Sequence, residues 1–205
     1  MKIKTYIYLI RHSEQLKIQN NEEDSQIANE KIILSITGEN KASKLAEMKE
    51  LKDIDVLWCS NYSRSIATAK YIAEKNNIEI KISKSFGERK LGDLEELKRL
   101  GETKNNTYTV EQMLDENLKT RNGENRKEVT KRMEEKLNEI LEANIGKKIA
   151  IVSHGAAIKF LLMNWCKLNS NNELIYNDQK LELDSPGVIK LTYGEEGLED
   201  IQKVV

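Results

Sequence analysis

The sequence predicts an α/β fold with a mainly parallel sheet and helices on both of its faces. Short apolar segments rich in β-branched residues alternate with longer segments whose apolar residues recur at helical spacing. Such alternation is typical of a parallel sheet whose strands are connected through helices. The predicted strands cover residues 3–10, 55–59, 78–82, 148–152 and 188–193.

Helices are predicted between these strands. Thr37 is a candidate N-cap for the first helix, and Asn61 is a candidate N-cap for the second. A longer helix is predicted to begin at about Glu124 and another at about Gly155, because apolar residues follow both at intervals of three or four.

Two polar segments interrupt the alternation. Residues 15–32 are rich in Asn, Glu and Gln and are predicted to form a long loop. Residues 91–122 show only a weak helical pattern, so we expect a small cap or lid inserted at about this position. The chain has no internal repeat and no low-complexity linker. Its length suits one domain over residues 1–205.

The composition favours a globular protein of nearly balanced charge. The formal net charge of −1 supplies no basic field, so neither nucleic acid nor a membrane is expected as a partner. Cys59 and Cys166 lie in apolar segments without a CxxC pair and are predicted to be core residues of a reduced protein. A leader pattern is not apparent and the apolar stretches are too short to span a bilayer, which predicts a cytoplasmic protein.

Candidate functional residues follow the ends of four predicted strands. His12 and His154, the two histidines of the chain, come after the first and fourth strands. Arg11 adjoins His12, whereas Arg64 and Glu88 follow the second and third strands. Because ligands bind outside the carboxyl ends of strands in open α/β sheets, we expect these side chains at one edge.

These residue types suit the transfer of a phosphoryl group. Guanidinium groups offer forked donors that match phosphate oxygens, and a neutral imidazole can attack phosphorus. The flanking arginines should lower the pKa of His12 and keep its ring unprotonated. The carboxyl group of Glu88 could protonate the departing oxygen and then take a proton from water.

Each residue alone also has an ordinary structural interpretation. A histidine at a strand end is more often a hydrogen-bonded core residue, and a glutamate after a strand is usually solvated. Other catalytic patterns are missing from the sequence: GxxxxGK[ST], GxGxxG and GxSxG do not occur. Two distant histidines without a ligating cysteine or carboxylate pattern predict no metal, and no cofactor is expected.

The same residues lie in motifs through which the sequence resembles the histidine phosphatase superfamily, also called the phosphoglycerate mutase-like family. The resemblance extends over nearly the whole chain, and its motifs occur in the family's order. They are Leu-Ile-Arg-His-Ser-Glu at 9–14, Leu-Ser-Ile-Thr-Gly at 34–38, the Ser-x-x-x-Arg-x-x-x-Thr-Ala block at 60–69, Glu88 with Gly92, Asn-Gly-Glu-Asn at 122–125, and Ser-His-Gly at 153–155.

This resemblance implies a three-layer α/β/α sandwich with a small inserted cap. It also implies that His12 is the phosphorylated nucleophile and that Glu88 is the proton donor and acceptor. Arg11, Arg64 and His154 would form the phosphate pocket, with His154 taking part in catalysis as well.

The sequence departs from the family pattern next to the first histidine. Ser13 replaces the usual glycine, and Gln15 replaces the common Ser or Thr. Ile18 stands where the family has an asparagine. Gln15 is therefore a candidate phosphate ligand, although Asn20 could take over the same contact and the choice stays open.

The leading hypothesis is a phosphatase that hydrolyses a small phosphate monoester, with phosphoproteins as an alternative substrate class. A phosphoglycerate mutase-type phosphotransferase is the second hypothesis, disfavoured because the predicted cap is short. The third is a non-catalytic protein that binds a phosphorylated ligand, which would not require Glu88. The sequence predicts neither the physiological substrate nor the oligomeric state.

Overall fold

A computed structural model of the chain describes residues 3–17, 26–99 and 113–205. Short 3-10 helices lie at Lys49–Leu51 and Lys84–Phe86. The other elements, in chain order, are β1 (Thr5–Arg11), α1 (Gln26–Lys31), α2 (Ile36–Ala46), β2 (Val56–Cys59), α3 (Ser63–Asn76), β3 (Ile80–Ile82), α4 (Leu94–Arg99), α5 (Arg126–Ala143), β4 (Lys148–Ser153), α6 (Gly155–Leu162), β5 (Lys167–Leu168), β6 (Leu174–Tyr176), β7 (Gln179–Leu181), β8 (Gly187–Gly194) and β9 (Gly197–Lys203).

Within the described residues, the main sheet has the strand order β3-β2-β4-β1-β8-β9. The first four of these strands are parallel, whereas β8 and β9 continue the sheet in antiparallel pairing. Strands β5, β6 and β7 form a smaller antiparallel sheet. The predicted α/β class with a mainly parallel sheet is confirmed, and the predicted strand bounds differ from these by at most two residues.

Helices cover both faces of the main sheet, which gives the three-layer α/β/α sandwich. Side chains alternate along β1, so that Ile7 and Leu9 face one layer while Tyr8 and Ile10 face the other. The first pair packs in one core with α5 and α6, and the second pair packs in another core with α2 and α3. Cys59 and Cys166 are buried and free, as predicted.

The register of the parallel strands brings their carboxyl ends to one level. Arg11, the last residue of β1, pairs with Ser153 at the end of β4, and Cys59 at the end of β2 pairs with Val152. The backbone N–H of His12 donates to the carbonyl of Ser153 at 2.9 Å, which continues the ladder by one residue. The segments that follow these strands therefore start beside each other.

Two predicted helix caps are wrong. Ser35 caps α2 in place of Thr37, because its hydroxyl accepts the N–H of Gly38 at 2.9 Å. Helix α3 follows Tyr62 without a side-chain cap, and the side chain of Asn61 instead donates to Glu30 at 3.1 Å. Thr37 and Asn61 nevertheless lie within two residues of the observed helix starts, which is the precision expected for helix boundaries.

Residues 15–32 were predicted to form a loop, but helix α1 lies within them. The polar composition of this segment gave no apolar pattern from which a helix could be predicted. Strands β5, β6, β7 and β9 were also not predicted. The first three have only two or three residues each, too few for a period-2 pattern to be recognised.

In the predicted cap, α4 is described and residues 100–112 lie outside the described ranges, so the cap and the single-domain assignment stay predictions.

No helix in the described parts of the chain is both long and apolar enough to cross a bilayer.

A capping box at the start of α5 gives a test of the fold. The Asn125 side chain accepts the N–H of Glu128 at 2.8 Å, and the Glu128 carboxylate accepts the N–H of Asn125 at 3.0 Å. We predict that Asn125→Ala lowers the free energy of unfolding by about 1 kcal/mol, measured by urea denaturation. Lys131→Ala is the control, because the Lys131 side chain is 74% exposed on the same helix. An equal loss of unfolding free energy in both variants would contradict the prediction.

Candidate active site

His12 and His154 lie side by side at the carboxyl edge of the main sheet. Their ring centroids are 5.0 Å apart, and both side chains are buried. The other residues predicted for this edge surround them: Arg64 contacts His12, Glu88 contacts the backbone just after His154, and Arg11 packs against Gly155. The structure thus brings together all five side chains that were expected here.

The hydrogen bonds of His12 determine which ring nitrogen carries its proton. Nδ1 lies 2.7 Å from the carbonyl oxygen of Ser13, whereas Nε2 lies 3.1 Å from Nε of Arg64. A guanidinium group can only donate, so Nε2 must accept and Nδ1 must hold the hydrogen. The lone pair of Nε2 therefore points toward the arginine side of the site.

Both histidines are held in the neutral form. Burial is the main cause that lowers the pKa of His12 to about 3, with the positive charge of Arg64 next and that of Arg11 smaller. Burial also lowers the pKa of His154 well below its usual value, assisted by His12 and Arg64. The pKa of His12 was predicted to be lowered, and the direction agrees, but burial contributes more to the lowering than the arginines do.

Arg64 lies in the first turn of α3 and is itself buried. Its NH1 donates to the backbone carbonyl of Asn29 in α1 at 2.6 Å, while its Nε donates to His12. One turn later, the hydroxyl of Thr68 donates to the carbonyl of Arg64 at 2.8 Å and accepts the N–H of Ser13 at 3.0 Å. This double contact ties the arginine and the histidine loop to one helix.

Arg11 reaches from the end of β1 to the start of α6. Its NH1 donates to the carbonyl of Leu183 at 3.0 Å, and a Cβ added at Gly155 would lie only 3.2 Å from its Nε. Among the described residues, Nε of Arg11 and Nδ1 of His154 are buried without a hydrogen-bond partner. Since leaving buried donors unpaired is costly, these atoms are suited to bind an external polar group.

The carboxylate of Glu88 lies at the N-terminus of α6. It accepts the N–H of Ala157 at 3.0 Å and that of Ala156 at 3.3 Å, where the helix dipole favours negative charge. Arg132 of α5 holds the preceding backbone by donating to the carbonyls of Ser85 at 2.6 Å and Glu88 at 3.3 Å. The acid is therefore positioned by α5 and α6 together.

The sequence model of the histidine phosphatase superfamily (branch 1) matches residues 7–199. The chain belongs to the histidine phosphatase superfamily. A comparison with curated proteins gave no match.

Solved structures of histidine phosphatase relatives have the same fold. Mycobacterial glucosyl-3-phosphoglycerate phosphatase superposes with a TM-score of 0.69 at 17% identity over 98% of both chains. A putative alpha-ribazole-5'-P phosphatase from Escherichia coli gives 0.68 at 18% identity over 97% of this chain and 95% of that one. The phosphoglycerate mutase of Bacillus anthracis gives 0.69 at 20% identity, covering 99% and 93%. The neighbours thus include both phosphatases and a mutase.

The departure at Ser13 has a structural explanation in this member of the superfamily. Its hydroxyl donates to the carbonyl of Gly38 at 2.7 Å, so it points to α2 and not to the imidazole of His12. Gly38 itself is required because a Cβ there would lie 2.0 Å from the backbone oxygen of Glu14. The extra hydroxyl therefore joins the loop at His12 to the start of α2.

Sequence reasoning missed several residues that hold this site together. The hydroxyl of Ser60 lies 2.7 Å from Nε2 of His154, and its signal was its place as the first residue of the motif at 60–69. Thr68 lies in that same motif. Arg132 gave no signal because it is one of many charged residues on its helix. Asn29 gave none because it contacts Arg64 through its backbone carbonyl.

The assignment of Gln15 as a phosphate ligand stays a prediction. Its backbone forms an isolated β-bridge with Leu34, and in the described part of the chain no hydrogen bond joins its side chain to Arg11, His12 or Arg64. Asn20 lies outside the described residues. Over the same described ranges, no three His, Cys, Asp or Glu side chains are grouped so that they could hold a metal ion.

The two neutral histidines predict how stability depends on pH. In the unfolded chain each binds a proton below about pH 6.5, whereas in the folded state each stays neutral to a much lower pH. The unfolded state then binds more protons, so stability falls as pH falls. Between about pH 6.5 and pH 5 we predict a loss of about 1.4 kcal/mol per pH unit for each histidine.

Urea denaturation at about pH 7, 6 and 5 measures this loss. His12→Gln, which removes one of the two titrating groups, should show roughly half the slope. A free energy of unfolding that stays constant over this range would contradict the assignment of both histidines as neutral.

Proposed function

We propose that this chain is a phosphatase that hydrolyses a small phosphate monoester through a phosphohistidine on His12. The observation that carries the proposal is the tautomer of His12. Its Nδ1 is tied to the Ser13 carbonyl, so the lone pair of Nε2 faces the guanidinium group of Arg64. A neutral imidazole with a directed lone pair beside buried cations is the arrangement that nucleophilic attack on a phosphate requires.

The phosphate group is held by Arg11, Arg64 and His154. Phosphate oxygens would supply acceptors for Nε of Arg11 and for NH1 of Arg64, which donates to the Asn29 carbonyl in the structure described here. In this proposal the Ser60 hydroxyl, which also accepts the N–H of Tyr62 at 3.3 Å, donates its own hydrogen to Nε2 of His154, 2.7 Å away. Nδ1 of neutral His154 then carries a hydrogen that it can donate to a phosphate oxygen.

The reaction proceeds in two displacements at phosphorus. Nε2 of His12 forms a bond to phosphorus as the bond to the ester oxygen breaks, and Glu88 gives a proton to the departing alcohol. Water then attacks the phosphohistidine, Glu88 takes its proton, and the N–P bond breaks to release inorganic phosphate. The arginines stabilise the charge on the equatorial oxygens in both steps.

A phosphoglycerate mutase-type reaction shares the first displacement and differs in the second acceptor. Neighbours of both kinds have this fold, and a complex of the mycobacterial phosphatase with inorganic phosphate is among them. We favour hydrolysis because the predicted cap is short. Isomerisation of 3-phosphoglycerate in the presence of a bisphosphate primer, exceeding phosphate release, would favour the mutase instead.

Removal of the nucleophile tests the proposal directly. We predict that the wild-type protein hydrolyses p-nitrophenyl phosphate and that His12→Ala reduces kcat/KM by roughly 10³-fold or more. Acid-labile, base-stable phosphate should be trapped on the wild type by rapid quench and be absent from His12→Ala, with circular dichroism showing that the variant is folded. Acid-labile phosphate that persists on His12→Ala would exclude this residue as the nucleophile.

The role of Glu88 is tested with leaving groups of different acidity. Glu88→Gln keeps an oxygen for the N–H of Ala157, loses the acceptor of the weaker contact to Ala156, and cannot transfer a proton. For alkyl phosphates we predict a loss in kcat of roughly 10²- to 10⁴-fold, and a much smaller loss for p-nitrophenyl phosphate, whose leaving group needs no protonation. A loss that is the same for both leaving groups would contradict its role as the proton donor.

A further inference from the structure

A cavity of about 440 Å³ adjoins the candidate active site. It lies between α6 and the small sheet β5–β7, and its lining includes Arg11, Gly155 and Ala156. These residues also border the histidine site, because Arg11 packs against Gly155 and Ala156 donates to Glu88. A substrate whose phosphate is bound at Arg11 and His12 can therefore extend into this cavity.

Lys159 lies on the wall of the cavity one turn of α6 beyond Gly155. Residues four apart share one face of a helix, and four residues correspond to roughly 6 Å along the axis. The ammonium group donates to both the backbone carbonyl and the side-chain oxygen of Asn172, the latter at 2.6 Å. An ammonium group has three N–H donors, so one remains for a ligand.

The negative charges of the cavity are already paired with other lysines. Glu173 and Glu182 bind Lys180 at 2.5 and 2.6 Å, and Glu182 also binds Lys203 at 3.0 Å. Asp184 lies 3.5 Å from Lys203. Glu173 also acts electrostatically on Lys159, but each of these acidic side chains has a closer lysine partner.

Beside Lys159, the wall of the cavity carries the buried guanidinium group of Arg89 and the ring of Phe160. Arg89 lines the same cavity, with its guanidinium carbon 5.9 Å from the ring centroid of Phe160. Apolar side chains such as Leu181 complete the wall. Burial lowers the pKa of Lys159 to about 8, as expected for an ammonium group that is partly removed from water.

We propose that Lys159 binds a second anionic group of the substrate, so that this chain acts on small phosphate monoesters whose other end carries a carboxylate or a phosphate. This inference rests on the proposed function, because the position of the first phosphate is taken from Arg11 and His12.

Matched substrates test the role of Lys159. 3-Phosphoglycerate and glycerol 3-phosphate differ in one carboxylate, and glycerol 1,3-bisphosphate replaces that carboxylate with a phosphate. We expect the wild type to prefer at least one of the two doubly anionic compounds over glycerol 3-phosphate by roughly 10-fold or more in kcat/KM. Whichever compound is preferred identifies the second group.

Variants separate recognition from folding. Lys159→Met should remove the preference mainly by raising KM, while turnover of p-nitrophenyl phosphate stays within about twofold, and Lys159→Arg should restore part of it. Lys131→Met, on the exposed face of α5, is the control and should leave every value unchanged. An equal kcat/KM for all three glycerol compounds, or a preference that survives in Lys159→Met, would overturn the proposal.

A binding measurement keeps this proposal distinct from the proposed function. In the His12→Ala protein, which lacks the nucleophile, calorimetry should give a roughly 10-fold lower Kd for the preferred doubly anionic compound than for glycerol 3-phosphate. A wild type that binds with this preference but transfers no phosphate would overturn the phosphatase assignment alone. Turnover without any preference in kcat/KM or Kd would overturn the role of Lys159 alone.

Discussion

The register between β1 and β4 is the constraint on which the site depends. Arg11 pairs with Ser153, and the N–H of His12 extends the ladder to the Ser153 carbonyl, so the two histidines leave neighbouring strands at the same level. A shift by one residue would turn every side chain of β1 to the opposite layer, so that Tyr8 and Ile10 would have to fit the core that now holds Ile7 and Leu9. The apolar cores on the two faces of the sheet thus enforce the contact between the catalytic candidates.

Bringing two imidazoles and a guanidinium group into a buried space costs free energy unless their polar atoms are paired. Most of this pairing comes from backbone carbonyls and hydroxyls, namely Ser13 O for His12, Ser60 Oγ for His154 and Asn29 O for Arg64. These partners are uncharged, so they pair with ring nitrogens of the histidines without introducing a negative charge that would favour the protonated rings. The surroundings consequently keep the ring of His12 neutral, as its proposed role requires, and the arginines contribute a smaller part of the same effect.

The sequence predicted the positions of Arg11, His12, Arg64, Glu88 and His154 because one rule sufficed, namely that functional groups follow the carboxyl ends of parallel strands. The same reasoning could not predict Arg132, whose contacts join residues 47 and 44 positions apart and leave no periodic trace. It also assigned residues 15–32 to a loop, although α1 supplies the carbonyl that Arg64 contacts. Long-range hydrogen bonds and two-residue strands have no sequence signature of their own.

The start of α6 bears on which groups would hold the phosphate in the proposed reaction. A helix N-terminus commonly binds phosphate through its free N–H groups. Here the N–H groups of Ala156 and Ala157 are directed to the Glu88 carboxylate, and Arg11 covers Gly155. The helix dipole therefore acts on the carboxylate of Glu88, and in the proposed reaction the positive charge for the phosphate would come from Arg11 and Arg64. The same helix face then continues to Lys159, so one element positions Glu88, the proposed proton donor, and borders the cavity.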